Sequence, residues 1–245
     1  MLAPSRLLSP AFFNRDPRRV ARALLGKVLV RKTSRGILAG RIVETEAYLG
    51  RGDAAAHSAS GRTARNSVVF GPPGHAYVYF IYGNHYCLNV SCLPEGEAGG
   101  VLFRALEPVA GIEEMAQARE IEIARAEALS PVVRSGRKSA LATGERKSAS
   151  ATAQPSELYK ISFLQKISSG PGRLCEALGV TRARDNGKSF VASRSDLQIV
   201  DDGYRVRRVA IGPRIGITKS AEEPLRFLIA DSAFVSARLP RAVTA

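Results

Sequence analysis

Apolar and polar residues alternate with a period of two along several parts of this chain, which is the pattern of half-buried β-strands. The alternation predicts two paired strands at residues 27–31 and 36–48. Runs of β-branched and aromatic residues predict a hairpin formed by residues 76–81 and 86–90, with a tight turn at Gly83-Asn84. Further strands are predicted at residues 101–106, 190–199, 204–214 and 225–229.

A helix is predicted near the start of the chain. Asp16 is a residue type that caps helices, and Pro17 suits the first helical turn. Val20 and Leu24 would face inward, and Gly26 would end the helix. Two further helices are predicted at residues 112–129 and 171–178.

The stretch at residues 130–157 differs in composition from the rest of the chain. It is rich in Ser, Ala, Thr, Lys and Arg and poor in large apolar residues. Such a composition indicates a flexible insertion and not a second core. The 245 residues therefore predict a single domain, residues 1–245, that carries a flexible insertion at 130–157.

The chain is strongly basic, with 36 Lys and Arg residues, 22 Asp and Glu residues and a formal net charge of +14. This balance favours nucleic acid or an anionic surface as a partner, the alternative being a merely solvated basic surface. Three cysteines without a CxxC pair indicate reduced thiols in an intracellular protein. No apolar run approaches the ~18 residues of a membrane span, so no membrane is expected. The prolines and charges near the N-terminus make a poor signal peptide, so secretion is not expected.

The segment from Glu46 to Arg104 contains all three histidines, five of the seven tyrosines and no lysine. Strand alternation places Glu44, Glu46 and Tyr48 on one face, so that a carboxylate lies beside an aromatic ring. This arrangement indicates a site that holds an aromatic ligand and carries out acid–base chemistry next to it. The alternative is a strand edge that faces solvent.

The predicted hairpin adds a second aromatic feature. Tyr82 stands at its tip, where a ring projects from the sheet and can enter a gap between base pairs. The alternative is an ordinary surface tyrosine. Two registers remain open: a loop of residues 83–85 sets Tyr79 opposite Asn89, whereas a loop of residues 83–84 turns these two to opposite faces.

The histidines do not indicate a metal site, because His57, His75 and His85 lie on separate loops without ligand spacing. We therefore expect no metal and no cofactor. His57 either lines a pocket or is a structural histidine.

Several motifs, in order along the chain, resemble the 3-methyladenine (alkyladenine) DNA glycosylase family. The resemblance covers about residues 25–129 and 167–229. The matching motifs are GRIVETEAYLG at 40–50, DAAAHS at 53–58, RN at 65–66, PGHAYVYFIYG at 73–83, CLN at 87–89, VLFRALEP at 101–108, SGPGRL at 169–174 and PLRF at 224–227.

The resemblance implies an α+β fold: a single mixed domain around a curved antiparallel β-sheet, with flanking helices and a protruding hairpin that enters the minor groove. It implies a DNA repair enzyme that flips an alkylated or deaminated purine out of duplex DNA and hydrolyses its N-glycosidic bond, leaving an abasic site. The expected partner is double-stranded DNA carrying a damaged purine, and the protein is expected to be a monomer. It would act in the cytoplasm at the nucleoid if bacterial, and in the nucleus if eukaryotic.

The resemblance also implies roles for residues. Glu46 would be the general base that activates water, Arg104 would lie beside it, and Tyr82 would be the wedge left in the duplex. The implied base-contacting residues are Tyr48, His57, Tyr79, Asn89 and Leu102.

Two departures from the family pattern stand out. His85-Tyr86 follows the hairpin turn where bulkier apolar residues are expected, and the span from residue 108 to 169 is longer than expected.

Other expectations come from the residues themselves. No lysine occurs between Lys32 and Lys138, so no amine is expected to form a Schiff base with the sugar, which predicts a monofunctional glycosylase without lyase activity. Arg104 is expected to keep Glu46 ionised. The candidate phosphate contacts are Gly170 and Arg173, at the start of a short helix, and also Arg214 and Arg226.

Two alternative functions stay open. The chief one is a non-catalytic binder of damaged or structured nucleic acid, and another is a small-molecule hydrolase. The preferred base is also open among 3-methyladenine, 7-methylguanine, hypoxanthine and ethenoadenine.

Overall fold

The computed structural model describes residues 5–81, 83–121 and 155–239, which form one mixed domain around an antiparallel sheet. The strands are β1 (Arg6–Leu7), β2 (Val28–Thr33), β3 (Gly36–Tyr48), β4 (Ala76–Ile81), β5 (His85–Ser91), β6 (Gly100–Ala110), β7 (Leu197–Asp201), β8 (Val209–Gly212) and β9 (Arg226–Ile229). The helices are α1 (Pro10–Phe13), α2 (Pro17–Leu24), α3 (Ile112–Ala118), α4 (Pro155–Ser168), α5 (Pro171–Ala177) and α6 (Arg182–Asp185), with a 3-10 turn at Ser67–Phe70.

The sheet has the order β1-β7-β2-β3-β6-β5-β4, and β9, which also pairs with β8, joins β3. The long strand β3 is its centre: its first half pairs with β2, its second half pairs with β9, and β6 pairs with it on the other side. Register shifts in the β3–β6 ladder fall on both sides of Glu44. Such bulges bend a strand and increase its twist. The predicted α+β fold around an antiparallel sheet is confirmed.

Helix α2 forms for the reasons that its sequence predicts. The Asp16 side chain accepts a hydrogen bond from the Arg18 N–H at 2.8 Å, and Pro17 occupies the first turn. Val20 and Leu24 are fully buried, and Gly26, with φ of 82°, turns the chain into β2. The main hydrophobic core lies where α2, α4 and α5 pack on β3, β5 and β6.

The hairpin of β4 and β5 has neither of the two registers considered from the sequence. Tyr79 lies opposite Cys87, Tyr77 lies opposite Asn89, and pairing ends at Ile81 and His85. Both expected loops were therefore wrong, because His85 pairs with Ile81 and each expected loop requires a different pairing. Side chains alternate with a period of two, so Asn89 still shares a face with Tyr77 and Tyr79.

Three predicted elements are shorter than expected. α3 ends at Ala118 and is followed by Glu120, whose φ of 51° is incompatible with a helix. The strand predicted at 190–199 forms only at β7, because the Phe190 N–H donates to the Gly74 carbonyl and a turn around Ser195 separates the two segments. The strand predicted at 204–214 forms only at β8, after an exposed basic segment.

Parts of three predictions fall outside the described residues. Residues 122–129 of the helix predicted at 112–129 lie there. The proposed insertion at 130–157 lies there except for its last three residues, which begin α4. Tyr82, which the sequence predicts to stand at the tip of the hairpin, also lies there.

Candidate active site

A row of paired residues crosses four strands at one end of the sheet. Glu46 of β3 pairs with Leu102 of β6, Leu102 pairs with Asn89 of β5, and Asn89 pairs with Tyr77 of β4. Directly paired residues in antiparallel strands point to the same face. The pairing therefore assembles one continuous surface from segments that are up to 56 residues apart in sequence, as between Glu46 and Leu102.

A cavity of about 310 Å³ opens over this surface. Its size lies at the lower end of small-molecule sites and therefore suits one ring system rather than an extended ligand. The structure brings together six predicted site residues in its wall, Tyr48, His57, Tyr79, Asn89, Leu102 and Arg104, and adds Tyr77.

Glu46 is fully buried and lies directly behind this wall. Oε1 of Glu46 accepts a hydrogen bond from the N–H of Ile215 at 2.8 Å and lies 3.2 Å from Nη1 of Arg104. Oε2 accepts a hydrogen bond from the Tyr48 hydroxyl at 3.1 Å. All three partners line the cavity. Since each carboxylate oxygen has two acceptor positions, Oε2 retains one for a further donor.

Arg104 bridges two buried carboxylates. Its Nε donates to Oε1 of Glu44 at 3.1 Å, while Nη1 contacts Glu46. Glu44 also pairs with Arg226, at 3.2 Å, and accepts hydrogen bonds from the N–H and hydroxyl of Ser236. Two carboxylates and two guanidinium groups thus form a buried cluster whose charges balance, which limits the cost of burying each of them.

The pKa of Glu46 is raised, and burial of the carboxylate is the largest cause. The positive charge of Arg104, the N–H of Ile215 and the hydroxyl of Tyr48 oppose this effect, and the charge of Glu44 adds to it. Burial alone would lower the pKa of Arg104, but its two carboxylate partners raise it. Arg104 therefore stays cationic and favours the ionised form of Glu46.

His57 is fixed by a tyrosine partner. Its Nδ1 lies 3.0 Å from the hydroxyl of Tyr77, and its ring meets the Tyr79 ring edge-on with centroids 4.4 Å apart. Burial lowers the pKa of His57, and the charge of Arg65 lowers it further. His57 is therefore neutral at neutral pH and offers an uncharged ring to the cavity.

Three of the four candidate phosphate contacts are not available for that role. Arg214 is buried against Asp53 and Arg226 against Glu44, so neither guanidinium reaches the surface. The N–H of Gly170 donates to the Arg104 carbonyl at 2.9 Å. Only Arg173, which is exposed, remains a candidate. The sequence alone did not predict that these residues would be used internally.

The other two histidines have different partners. His75 approaches the Pro72 carbonyl at 3.0 Å, and Nδ1 of His85 lies 2.9 Å from Oε1 of Glu176. Within residues 5–81, 83–121 and 155–239, the structure contains no cluster of His, Cys, Asp and Glu suited to a metal ion. Over the same ranges, no helix combines the length and hydropathy needed to cross a bilayer.

Sequence reasoning missed Asp53, Ile215 and the pairing of Arg214. Ile215 contributes through its backbone N–H, which no side-chain pattern reveals. Asp53 and Arg214 are 161 positions apart and meet only in the folded chain.

Comparison with known proteins identifies the family of this chain. The family model for methylpurine-DNA glycosylase matches residues 11–233. This chain therefore belongs to the methylpurine-DNA glycosylase family.

Individual relatives cover almost the whole chain. A protein of Koribacter versatilis named "Putative 3-methyladenine DNA glycosylase" is 58% identical over 237 residues, which span 97% of this chain and 95% of the relative. Proteins with the same name are 40% identical in Methanocella arvoryzae, over 94% of this chain and 95% of the relative, and 38% identical in Bacillus cereus, over 93% and 97%.

Proposed function

We propose that this protein is a DNA repair glycosylase that binds a damaged purine, turned out of duplex DNA, in the aromatic cavity and hydrolyses its N-glycosidic bond. The observation that carries the proposal is the buried carboxylate of Glu46 directly behind the wall of a cavity that fits one ring system. Family membership and relatives named for 3-methyladenine support the same substrate class.

Glu46 is the general base in this proposal. Its Oε2 has an acceptor position left for the proton of an attacking water, while Arg104 and Ile215 hold Oε1. The carboxylate also stabilises positive charge that develops on the sugar as the bond to the base breaks. Water must reach it between Tyr48, Arg104 and Ile215, which separate it from the cavity.

The aromatic wall suits a purine that carries positive charge. Alkylation at ring nitrogen gives the base a positive charge and makes it a better leaving group. The electron-rich rings of Tyr48 and Tyr79 attract such a base, by roughly 0.5–2 kcal/mol for each contact. Neutral His57 adds no repulsive charge. Asn89, held by a hydrogen bond from its Nδ2 to the Tyr77 carbonyl, is proposed to disfavour the exocyclic amine of guanine, and Leu102 to close the wall.

Duplex DNA is the proposed partner. The protein is proposed to bind it as a monomer, in the compartment that contains the cell's DNA. The net charge of +14 favours it, and exposed Arg173 lies on α5, whose first residue, Pro171, lines the cavity. Tyr82, outside the described residues, is proposed as the wedge that fills the gap left by the extruded nucleotide.

Base release without strand cleavage is the proposed outcome. Strand cleavage by a glycosylase needs an amine that attacks the sugar. Among the described residues that line the cavity there is no lysine. Lys219 is two positions from the lining residue Ile217, and it is exposed.

The test compares Glu46→Gln with Glu107→Gln, a matched change on β6 away from the cavity. Duplex oligonucleotides each carry one lesion (3-methyladenine, 7-methylguanine, hypoxanthine or ethenoadenine), and alkali reveals abasic sites. We expect Glu46→Gln to keep DNA binding and to lose base release by about 10²–10⁴-fold, whereas Glu107→Gln keeps both.

Two results would replace the proposal. A chain that binds lesion-containing duplexes but releases no base, before or after the Glu46 change, is a non-catalytic binder. A protein that does not bind duplex DNA, and that hydrolyses small molecules at a rate independent of salt concentration, is a small-molecule hydrolase.

A further inference from the structure

A buried ion pair joins the two loops that flank the catalytic carboxylate. Nη1 and Nη2 of Arg214 lie 2.6 and 2.8 Å from the two carboxylate oxygens of Asp53, and neither side chain is exposed. Arg214 also donates to the carbonyls of Ala47 and Ser220. Asp53 accepts hydrogen bonds from two N–H groups of its own loop. The pair therefore connects the end of β3, the loop after it and the segment between β8 and β9.

Arg214 and Ile215 are consecutive residues, and this fixes the position of a catalytic hydrogen bond. Ile215 donates its N–H to Oε1 of Glu46 at 2.8 Å. The cavity wall continues through Ile215, Gly216 and Ile217. These residues lie in the segment between β8 and β9, which has no regular backbone ladder to hold it, so its side-chain contacts set its position.

Arg214 also lies against the aromatic wall. Its guanidinium carbon is 4.7 Å from the centroid of the Tyr48 ring. Tyr48 lines the cavity and donates its hydroxyl to Glu46. Arg214 therefore lies next to both Ile215 and Tyr48, which are the two residues besides Arg104 that donate to Glu46.

We propose that Asp53 and Arg214 are positioning residues for base excision, which hold the Ile215 N–H against Glu46 and the Tyr48 ring against the flipped base. The inference rests on the proposed function. Arg214 was expected from the sequence to contact phosphate, and its burial against Asp53 assigns it this internal role instead.

Loss of the Asp53–Arg214 pair would affect Glu46 by displacing the Ile215 N–H. A displacement of about 1 Å at a reacting group lowers a rate by up to ~10²-fold. Loss of the N–H donor also removes a hydrogen bond that favours the ionised carboxylate. The groups that face Glu46 are Arg104 of β6, Tyr48 and Glu44 of β3, Arg226 of β9 and Cys87 of β5, and the proposed changes leave all five in place.

The chain offers a matched control for this pair. Arg41 makes a bidentate contact with Asp202, in which Nη1 and Nη2 lie 3.1 and 2.9 Å from the two carboxylate oxygens. Its guanidinium carbon lies 4.2 Å from the Tyr204 ring centroid. The geometry repeats that of Arg214, Asp53 and Tyr48, yet none of these three residues lines the aromatic cavity. Asp202→Asn therefore reports the loss of a similar pair without an effect on Glu46.

The experiment measures single-turnover base release against pH, with enzyme in excess over a duplex that carries one lesion. Wild type, Asp53→Asn, Arg214→Lys and Asp202→Asn are compared, together with their thermal unfolding. We expect Asp53→Asn to lower the rate at least about tenfold and to move the acidic limb of the pH profile upward. Arg214→Lys keeps the charge but not the planar fork, and we expect an intermediate effect. Asp202→Asn should keep the wild-type rate and profile.

The outcomes separate the two proposals. Absence of base release by the wild type defeats the proposed function itself. The positioning role is wrong if the wild type releases the base and both Asp53→Asn and Arg214→Lys keep its rate and pH profile. It is also wrong if Asp202→Asn has an effect equal to theirs. If Asp53→Asn does not fold, because it leaves Arg214 buried without its partner, Arg214→Lys decides alone.

Discussion

Nη1 of Arg104 lies 3.2 Å from Oε1 of Glu46, and both side chains are almost completely buried. The contact brings a fixed positive charge to a carboxylate whose burial favours protonation. The two residues come from neighbouring strands of the same ladder, so backbone pairing holds the charge in place. The protonation state of Glu46 is therefore set by a balance between burial and Arg104.

Replacement of Arg104 by Ala should disturb this balance in a known direction. Glu46 acts in its ionised form in the proposed function, so we expect activity to be lost as the pH falls through the pKa of that carboxyl. Without Arg104 the pKa rises further, and the acidic limb of the kcat/KM profile should move to higher pH. Arg104→Lys, which keeps the charge, is the control and should move the limb less. An unmoved limb in Arg104→Ala would contradict the assigned role.

Replacement of Glu44 by Gln should move the same limb the other way. The charge of Glu44 raises the pKa of Glu46, and Arg104 divides its interaction between the two carboxylates. A neutral side chain at this position should lower the pKa of Glu46 and extend activity to lower pH. Arg226 loses its charged partner, so denaturant unfolding should show a loss of about 1–3 kcal/mol. An upward shift of the limb would show that Glu44 acts mainly by orienting Arg104.

Gly50 begins the loop that carries Asp53 and His57, and we expect Gly50→Ala to destabilise the fold. Its φ is +83°, and a Cβ there would meet the carbonyl oxygen of Ala98. Gly52 has a similar φ of +89° with no atom within 4 Å of the Cβ position. Gly52→Ala therefore measures the cost of the left-handed backbone conformation without a steric clash. Denaturant unfolding should show a loss of about 1 kcal/mol for Gly52→Ala and about 2–4 kcal/mol for Gly50→Ala. Equal losses would mean that the loop moves away from Ala98 without cost.

Arg173 is expected to contact a phosphate of the bound duplex. A plot of log Kd against log salt concentration should become shallower by about one unit in Arg173→Ala, because one fewer counterion is released on binding. Arg208 is also exposed but pairs with Asp231 at 2.6 Å on a different part of the surface. Arg208→Ala is the matched control and should leave the slope unchanged. Equal slopes for Arg173→Ala and wild type would remove Arg173 from the interface.

Borohydride should trap no covalent complex between the protein and a lesion-containing duplex. Among the described residues no lysine lines the cavity, so we expect no amine there to form a Schiff base with the sugar. Abasic sites should accumulate as intact strands until alkali is added. A trapped adduct would point first to Lys219, and its loss in Lys219→Ala would identify the amine.

The sequence correctly predicted which side chains share a face where they lie on one continuous strand. Glu44, Glu46 and Tyr48 share a face because strand alternation is a local property, and the structure places them in one hydrogen-bonded group. The hairpin was also predicted, but its register was not. A two-residue and a three-residue loop both fit the turn signal, and the observed pairing differs from both expectations.

The sequence by itself determined the residue types of the site and their order along the chain, because these are carried by short motifs such as GRIVETEAYLG. Only the tertiary structure decided which charges are buried and with what partners. Arg214 and Arg226 look like surface cations in sequence, yet each is enclosed beside a carboxylate from a distant segment. The physical reason is that burial and ion pairing depend on distances between segments more than 150 positions apart, such as the 161 between Asp53 and Arg214. A one-dimensional pattern does not contain those distances.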